Sequence, residues 1–351
     1  MDLPSVNPGF AADPFPVQAE WHAREREQLD RSAAAVRRGL AALNGPQARR
    51  PEDVGPGDCT ATARHEPLPP HALEARMSWS ERTVIRDGVR LVCRDWGGPG
   101  RPAILLHGLA GHAGEWDAVA RSLSPALRIV AVDQRGHGAA ERRPQDVSRA
   151  AYVSDVVAVA DQLGLRRPVL IGQSLGAHTA MLTAAAHPGH VGALVLVEAG
   201  PAVADPNTPS KIGSWLDSWP TPFASREAAV SFFGGGPLGE GWAGGLEERG
   251  GGWWPRFDRD VMVGAISENA RRHFWGEWDA VACPALLVLG QTGFVPPQEV
   301  EEMLRRRPAT EAVGLPGTGH DLHLERPATL CGLISGFLAE SAEERGRPLS
   351  P

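Results

Sequence analysis

Five short apolar runs, at 103–107, 128–132, 168–171, 193–197 and 285–289, constrain the fold of this chain more than any other feature. They carry little polar alternation, as strands covered on both faces must. Between the first four lie helix-length stretches at 116–123, 150–163 and 177–186, so the rhythm is β-α-β-α-β, the mark of an α/β domain around a mostly parallel sheet. Two further runs at 82–86 and 89–96 flank Asp87-Gly88, a tight-turn pair, and predict an antiparallel hairpin at the opening edge. After 283 the rhythm resumes with a helix at 298–306, a last strand at 311–315 and a closing helix at 328–339.

Two segments break the pattern. Residues 1–76 read as an extension with one helix at 18–43, stopped by Asn44-Gly45-Pro46, and a proline- and glycine-rich linker at 50–70. Nothing there carries chemistry, and Met77 stands just before the first strand as a plausible native start. Residues 201–282 hold Trp215, Trp219, Trp242, Trp253, Trp254, Trp275 and Trp278 in a glycine-rich stretch, expected to be a helical lid. The division is therefore 1–76, a core of 77–200 and 283–345, and a lid of 201–282.

Composition narrows the function by exclusion. The net charge is −7, and Lys211 is the single lysine among 35 basic residues, so no nucleic-acid partner is indicated. Cys59, Cys93, Cys283 and Cys331 show no paired spacing, which argues against a metal site or a disulfide framework and for a reduced, cytoplasmic protein. No basic-then-apolar leader and no run of about 18 apolar residues occurs, so no membrane association is expected. Oligomeric state is not encoded in any pattern here.

The chemistry concentrates at the ends of the apolar runs. The third of the five leads into Gly172-Gln173-Ser174-Leu175-Gly176, a Gly-x-Ser-x-Gly turn that would raise a serine hydroxyl between a strand and a helix. His107-Gly108 follows the first, Asp133-Gln134-Arg135-Gly136-His137-Gly138 the second, and Gly319-His320-Asp321-Leu322-His323-Leu324-Glu325-Arg326-Pro327 the last strand. In this order, over 81–340, they resemble the α/β-hydrolase fold family. That resemblance implies a twisted eight-stranded sheet with helices on both faces, a lid insertion, no cofactor and a small-molecule substrate.

It also implies roles. A serine hydroxyl needs a neutral imidazole to take its proton, so Ser174 would be the nucleophile and His320 the base. The backbone N–H groups of Leu109 and Leu175 would form the oxyanion hole. The usual acid would fall at Gly293, which has no carboxylate. Glu198, at the end of the neighbouring strand, is the substitute we expect, and the lid carboxylates Asp217 and Asp279 are poorer candidates. Asp133 and Arg135 are expected to brace loops, and His323 to pack. His107, His112, Trp116, Trp215 and Trp219 are candidates for the substrate pocket, with a helix-start role open for His112, Glu115 and Trp116 and a hydrogen-bonding role for His107. The expected activity is hydrolysis of an ester, thioester or lactone of a small, apolar substrate through an acyl-enzyme. A non-hydrolytic scaffold (receptor, epimerase or cyclase) and a carbon–carbon bond hydrolase are the alternatives, and dehalogenases and epoxide hydrolases are disfavoured because they require an aspartate where Ser174 stands.

Overall fold

A computed structural model describes residues 78–346, with side chains through residue 341. The helix expected at 18–43 lies outside the described residues. The hairpin forms as β1 (Ser80–Arg86) and β2 (Val89–Gly97), joined at Asp87-Gly88, both with positive φ as the tight turn requires. In order there follow β3 (Pro102–Leu106), a 3-10 turn (Ala113–Trp116), α1 (Asp117–Leu123), β4 (Arg128–Asp133), α2 (Arg149–Gln162), β5 (Val169–Gln173), α3 (Leu175–Ala186) and β6 (Ala193–Val197). An insertion then holds α4 (Thr208–Asp217), α5 (Arg226–Phe232), α6 (Gly236–Ala243), β7 (Leu246–Arg249), β8 (Gly252–Pro255), α7 (Arg259–Ser267) and α8 (Trp275–Ala280). The chain closes with β9 (Ala285–Gly290), α9 (Pro297–Arg306), β10 (Glu311–Leu315), α10 (Leu322–Glu325) and α11 (Pro327–Gly346).

Eight strands form one sheet in the order β1-β2-β4-β3-β5-β6-β9-β10. The pairs β1/β2 and β2/β4 are antiparallel and every later pair is parallel. The apolar runs are strands because each fills two cores at once. Ile104, Leu106, Leu170, Leu194, Leu196 and Leu287 pack on one face against Val156 and Val159 of α2, Ala177, Ala180 and Met181 of α3, and Met303 of α9. The alternate residues Leu105, Val169, Ile171, Val195, Leu286 and Val288 pack on the other against Val119 and Leu123 of α1 and Leu330, Ile334 and Phe337 of α11. A one-residue register slip would move every side chain to the wrong core, so the parallel register is tightly specified.

That register aligns the functional loops. Gln173 pairs with Val197, and Val197 with Val288, so the residues following β5, β6 and β9 leave the sheet side by side. In open α/β sheets the crevice beyond the strands' carboxyl ends is where ligands gather.

The insertion departs from the expected all-helical lid in two respects. Leu246–Arg249 and Gly252–Pro255 pair as an antiparallel hairpin. In addition, Trp278 is fully buried in the first core, with its indole N–H donating to the Met303 carbonyl at 3.0 Å, and Trp275 packs beside it. Helix α8 thus belongs to the sheet's own packing, although it falls within 201–282. Four more tryptophans, Trp215, Trp219, Trp242 and Trp253, belong to a separate cluster in which Trp219 meets Trp215, Phe233 and Phe257 edge-on at 4.7–5.5 Å, the arrangement that ring quadrupoles favour. Among the described residues no helix is long and apolar enough to cross a membrane.

Candidate active site

Ser174 sits between β5 and α3 with φ 52° and ψ −118°, a conformation costly for any residue with a Cβ. Its amide donates to Val197 O at 2.9 Å and its carbonyl accepts from His178 N at 3.0 Å, so both flanking elements hold the turn. The two glycines of the motif are required by close approach. A Cβ on Gly176 would lie 2.2 Å from Leu106 O, and one on Gly172 would lie 2.4 Å from Ala177 N. The serine is half-buried at the carboxyl edge of the sheet.

Glu198 follows β6, also at positive φ (54°). Its carboxylate accepts from Gly290 N at 2.5 Å and from Phe294 N at 2.7 Å, and its Oε2 lies 3.4 Å from His320 Nδ1. The carboxylate is 1 % exposed and the imidazole 20 %. Two amides therefore fix the carboxylate behind the ring, while the imidazole keeps part of its surface exposed. The 3.4 Å separation is long for a charge-assisted bond, as catalytic hydrogen bonds often are before substrate binds. Phe294 covers the imidazole, ring centroids 4.2 Å apart.

Gly293 leaves room for the Glu198 side chain. A Cβ at this position would stand 2.0 and 2.1 Å from the two carboxylate oxygens of Glu198. The Glu198 carboxylate thus fills the space above the backbone from which an acid at 293 would project, and only glycine leaves that space free. By contrast, Asp217 pairs with Arg259 at 2.7 Å and Asp279 with Arg306 at 2.8 Å, so neither addresses His320.

The oxyanion candidates lie on two abutting turns, since a Cβ on Gly108 would be 3.4 Å from the Ser174 Cβ. Among the described residues no acceptor takes the N–H of Leu109 or of Leu175. Ala110, next to Leu109, adopts φ 62°, and Gly111 N donates back to Gly108 O at 3.2 Å, which closes the loop on itself.

Several pocket candidates are placed elsewhere. His107 is fully buried; its Nδ1–H donates to Gly108 O at 2.7 Å and its Nε2 accepts from Gln134 N at 3.1 Å, so it fastens β3 to the loop after β4 and offers substrate nothing. Trp116 is likewise fully buried, in the core against α1 and α11, with its ring on His323. His112 is a turn cap that also bonds the insertion: its Nδ1 accepts from Gly114 N at 3.1 Å and its Nε2–H donates to Gly241 O at 2.9 Å. Trp219 is 5 % exposed inside the aromatic cluster, whereas Trp215 is half-buried, and Leu109 packs on the same cluster. Asp133 ties the Ala113 and Ala139 amides at 2.6 and 2.9 Å, and Arg135 forks onto Asp155 at 2.6 Å, so both brace loops. His323 is buried 3.6 Å from Glu115.

Three contacts beside these residues carried no role in the sequence reading. Gln173, next to the nucleophile, donates to His320 O at 3.1 Å and to Asp321 Oδ1 at 3.4 Å, and Trp242 donates to Asp321 Oδ2 at 3.2 Å. Gln173 and Asp321 stand inside the motifs beside Ser174 and His320, but their partnership spans 148 positions and leaves no local signal. Among the described residues no three His, Cys, Asp or Glu side chains converge on a point that could hold a metal ion.

Burial holds four imidazoles below their usual range: His107 and His178 are lowered, His112 to about 4 and His137 to about 3. Each is neutral in the fold and binds a proton more readily when unfolded, so the unfolded chain gains protons first as pH falls through about 6.5. Stability is therefore expected to be complete above that pH and to decline towards about 4, on the order of 1 to 2 kcal/mol at pH 5 for each of His112 and His137. Burial raises the Asp117 and Glu299 carboxyls, which oppose the trend, but two carboxyls do not outweigh four imidazoles. Urea midpoints at pH 7.5 and 5 measure this, and an unchanged or higher midpoint at pH 5 would contradict it.

Comparison with known proteins points the same way. The family model described as "Alpha/beta hydrolase family" matches residues 103–333. The sn-1-specific diacylglycerol lipase ABHD11 of Mus musculus is 28 % identical over 255 residues, covering 68 % of this chain and 81 % of that protein. N-formylmaleamate deformylase of Pseudomonas putida is 29 % identical over 273 residues, covering 76 % of this chain and 96 % of the relative. Among solved structures, E-2-(acetamidomethylene)succinate hydrolase superposes with a TM-score of 0.68 at 22 % identity, over 74 % of this chain and 99 % of that one.

Proposed function

The chain belongs to the alpha/beta hydrolase family, and from that premise we propose that it is a serine hydrolase of esters, thioesters or lactones, working through Ser174, His320 and Glu198. The observation that carries this reading is the Glu198 carboxylate, gripped by two amides and set against His320 Nδ1. A carboxylate there keeps the proton on Nδ1 and leaves Nε2 as the base. Ser174 Oγ attacks the carbonyl carbon while His320 Nε2 takes its proton, and the tetrahedral oxyanion accepts from the Leu109 and Leu175 amides. Collapse expels the alcohol or thiol, which leaves with the proton from His320. Water then enters, loses a proton to Nε2 and attacks the acyl carbon; the acyl–Oγ bond breaks, Ser174 Oγ takes the proton back from Nε2, and the acid leaves. The Glu198 charge stabilises the imidazolium in both halves.

For the substrate, the packing of Leu109 on the Trp215/Trp219/Trp242 cluster favours an apolar acyl group. Relatives named as a lipase and a deformylase are in keeping with acyl transfer to water. A fluorophosphonate probe tests the reading. The intact protein is expected to gain one adduct, on the peptide containing Ser174, with parallel loss of short acyl-ester hydrolysis. Folded protein that neither labels nor cleaves any such ester would overturn it.

A further inference from the structure

We propose that Asp321 is a positioning residue that locks the aromatic insertion to the nucleophile turn and to the histidine loop; this rests on the serine-hydrolase reading above. Its two carboxylate oxygens face different parts of the molecule. Oδ1 accepts from Gln173, which also donates to the His320 carbonyl, and Oδ2 accepts from the indole N–H of Trp242 on α6. One side chain thus joins the residue before Ser174, the backbone of His320 and the insertion. The same helix is pinned a second time, where His112 donates to Gly241 O, and a Cβ on Gly241 would strike Leu324 at 2.6 Å. Helix α6 therefore touches both the oxyanion loop and the histidine loop.

Asp321 does not duplicate Glu198. The imidazole is served by Glu198 through Nδ1, whereas Asp321 is satisfied by an amide and an indole and reaches the ring only through backbone. Its contribution is orientation. When α6 is seated, Trp242 draws Asp321 and Gln173 into one arrangement and the His320 carbonyl is fixed relative to Ser174. When α6 lifts away, the indole donor is lost from the network and the histidine loop gains freedom. Misplacement of a catalytic group by about 1 Å suffices to cost about 10²-fold in rate, so a partial loosening is measurable.

Two variants remove the same bond from opposite ends. Trp242→Phe deletes the indole N–H but keeps an aromatic ring against Phe233, whose centroid is 5.7 Å away. Asp321→Asn retains the size and one oxygen for Gln173, and turns an N–H toward the indole donor. Each is expected to lower kcat per fluorophosphonate-titrated site about tenfold, with KM for p-nitrophenyl butyrate within about twofold. The double variant is expected to lose no more than either single one, because the two changes break one interaction. A merely structural role would shift the urea midpoint and leave kcat per titrated site intact. The proposal is overturned if both single variants keep kcat within about twofold of wild type, or if the double variant loses the product of the single losses. Wild-type protein that never labels would sink the hydrolase reading and this proposal together; labelled wild type with unaffected variants would sink this proposal alone.

Discussion

Ser174→Ala is expected to reduce kcat/KM for a short p-nitrophenyl ester by about 10⁵- to 10⁶-fold, the scale seen when a serine nucleophile is removed from an intact triad. The expectation follows from the proposed division of labour at the turn. The Leu109 and Leu175 amides and the His320–Glu198 pair remain, so oxyanion stabilisation persists, but no atom is left to form the acyl bond. The substitution is nearly isosteric, and alanine tolerates φ 52° no worse than serine does, so the urea midpoint should not fall. His320→Ala is expected to cost a comparable factor, and the double variant little more than either, since nucleophile and base act as one unit. Retention of more than about a tenth of wild-type activity by Ser174→Ala would place the nucleophile elsewhere.

The parts of this site that could be read in the sequence are those set by local pattern. Strands buried on both faces need unbroken apolar runs, and the run Ala193–Val197 is a strand over those same five residues, all buried. Ser174 and Glu198 directly follow β5 and β6 and His320 lies on the loop after β10, so these candidates are placed where the resemblance located them. The hairpin β7/β8 was not legible, because Leu246-Glu247-Glu248-Arg249 offers one apolar residue to a strand and is held by pairing with Gly252–Pro255. The tryptophans were misleading as a group. Seven lie within one stretch of sequence, yet Trp278 closes the main core while Trp219 centres another, a difference fixed by partners such as Met303 and Phe257 far along the chain. His107 and Trp116 flank the 108–111 turn in sequence, but one bonds to Gln134 and the other packs in the α1/α11 core. The link from Gln173 through Asp321 to Trp242 exists only once β5, the histidine loop and α6 have converged.

Glu198→Gln is expected to lower kcat by about 10⁴-fold with KM little changed, the loss produced when a triad carboxylate becomes an amide. The hydrogen-bond arithmetic makes it severe. Three donors, the amides of Gly290 and Phe294 and the Nδ1–H of His320, converge on two carboxylate oxygens. A glutamine supplies one oxygen and an NH₂, so one orientation sets N–H against the Gly290 amide. The other sets it against both Phe294 and Nδ1, which forces the proton onto Nε2 and removes the base that Ser174 needs. Burying the unsatisfied donor should also cost about 1–3 kcal/mol of stability, read from urea melts. The complement at Gly293 supplies the sharper test. Gly293→Asp alone should fail, since its Cβ would collide with the Glu198 carboxylate. Combined with Glu198→Ala, which empties that space, the same aspartate is expected to restore activity at least about tenfold over Glu198→Ala alone, because a carboxylate again stands behind His320. Activity of Glu198→Gln within about tenfold of wild type would remove Glu198 from the triad and leave its two amide bonds as a purely structural clasp on the loop after β9.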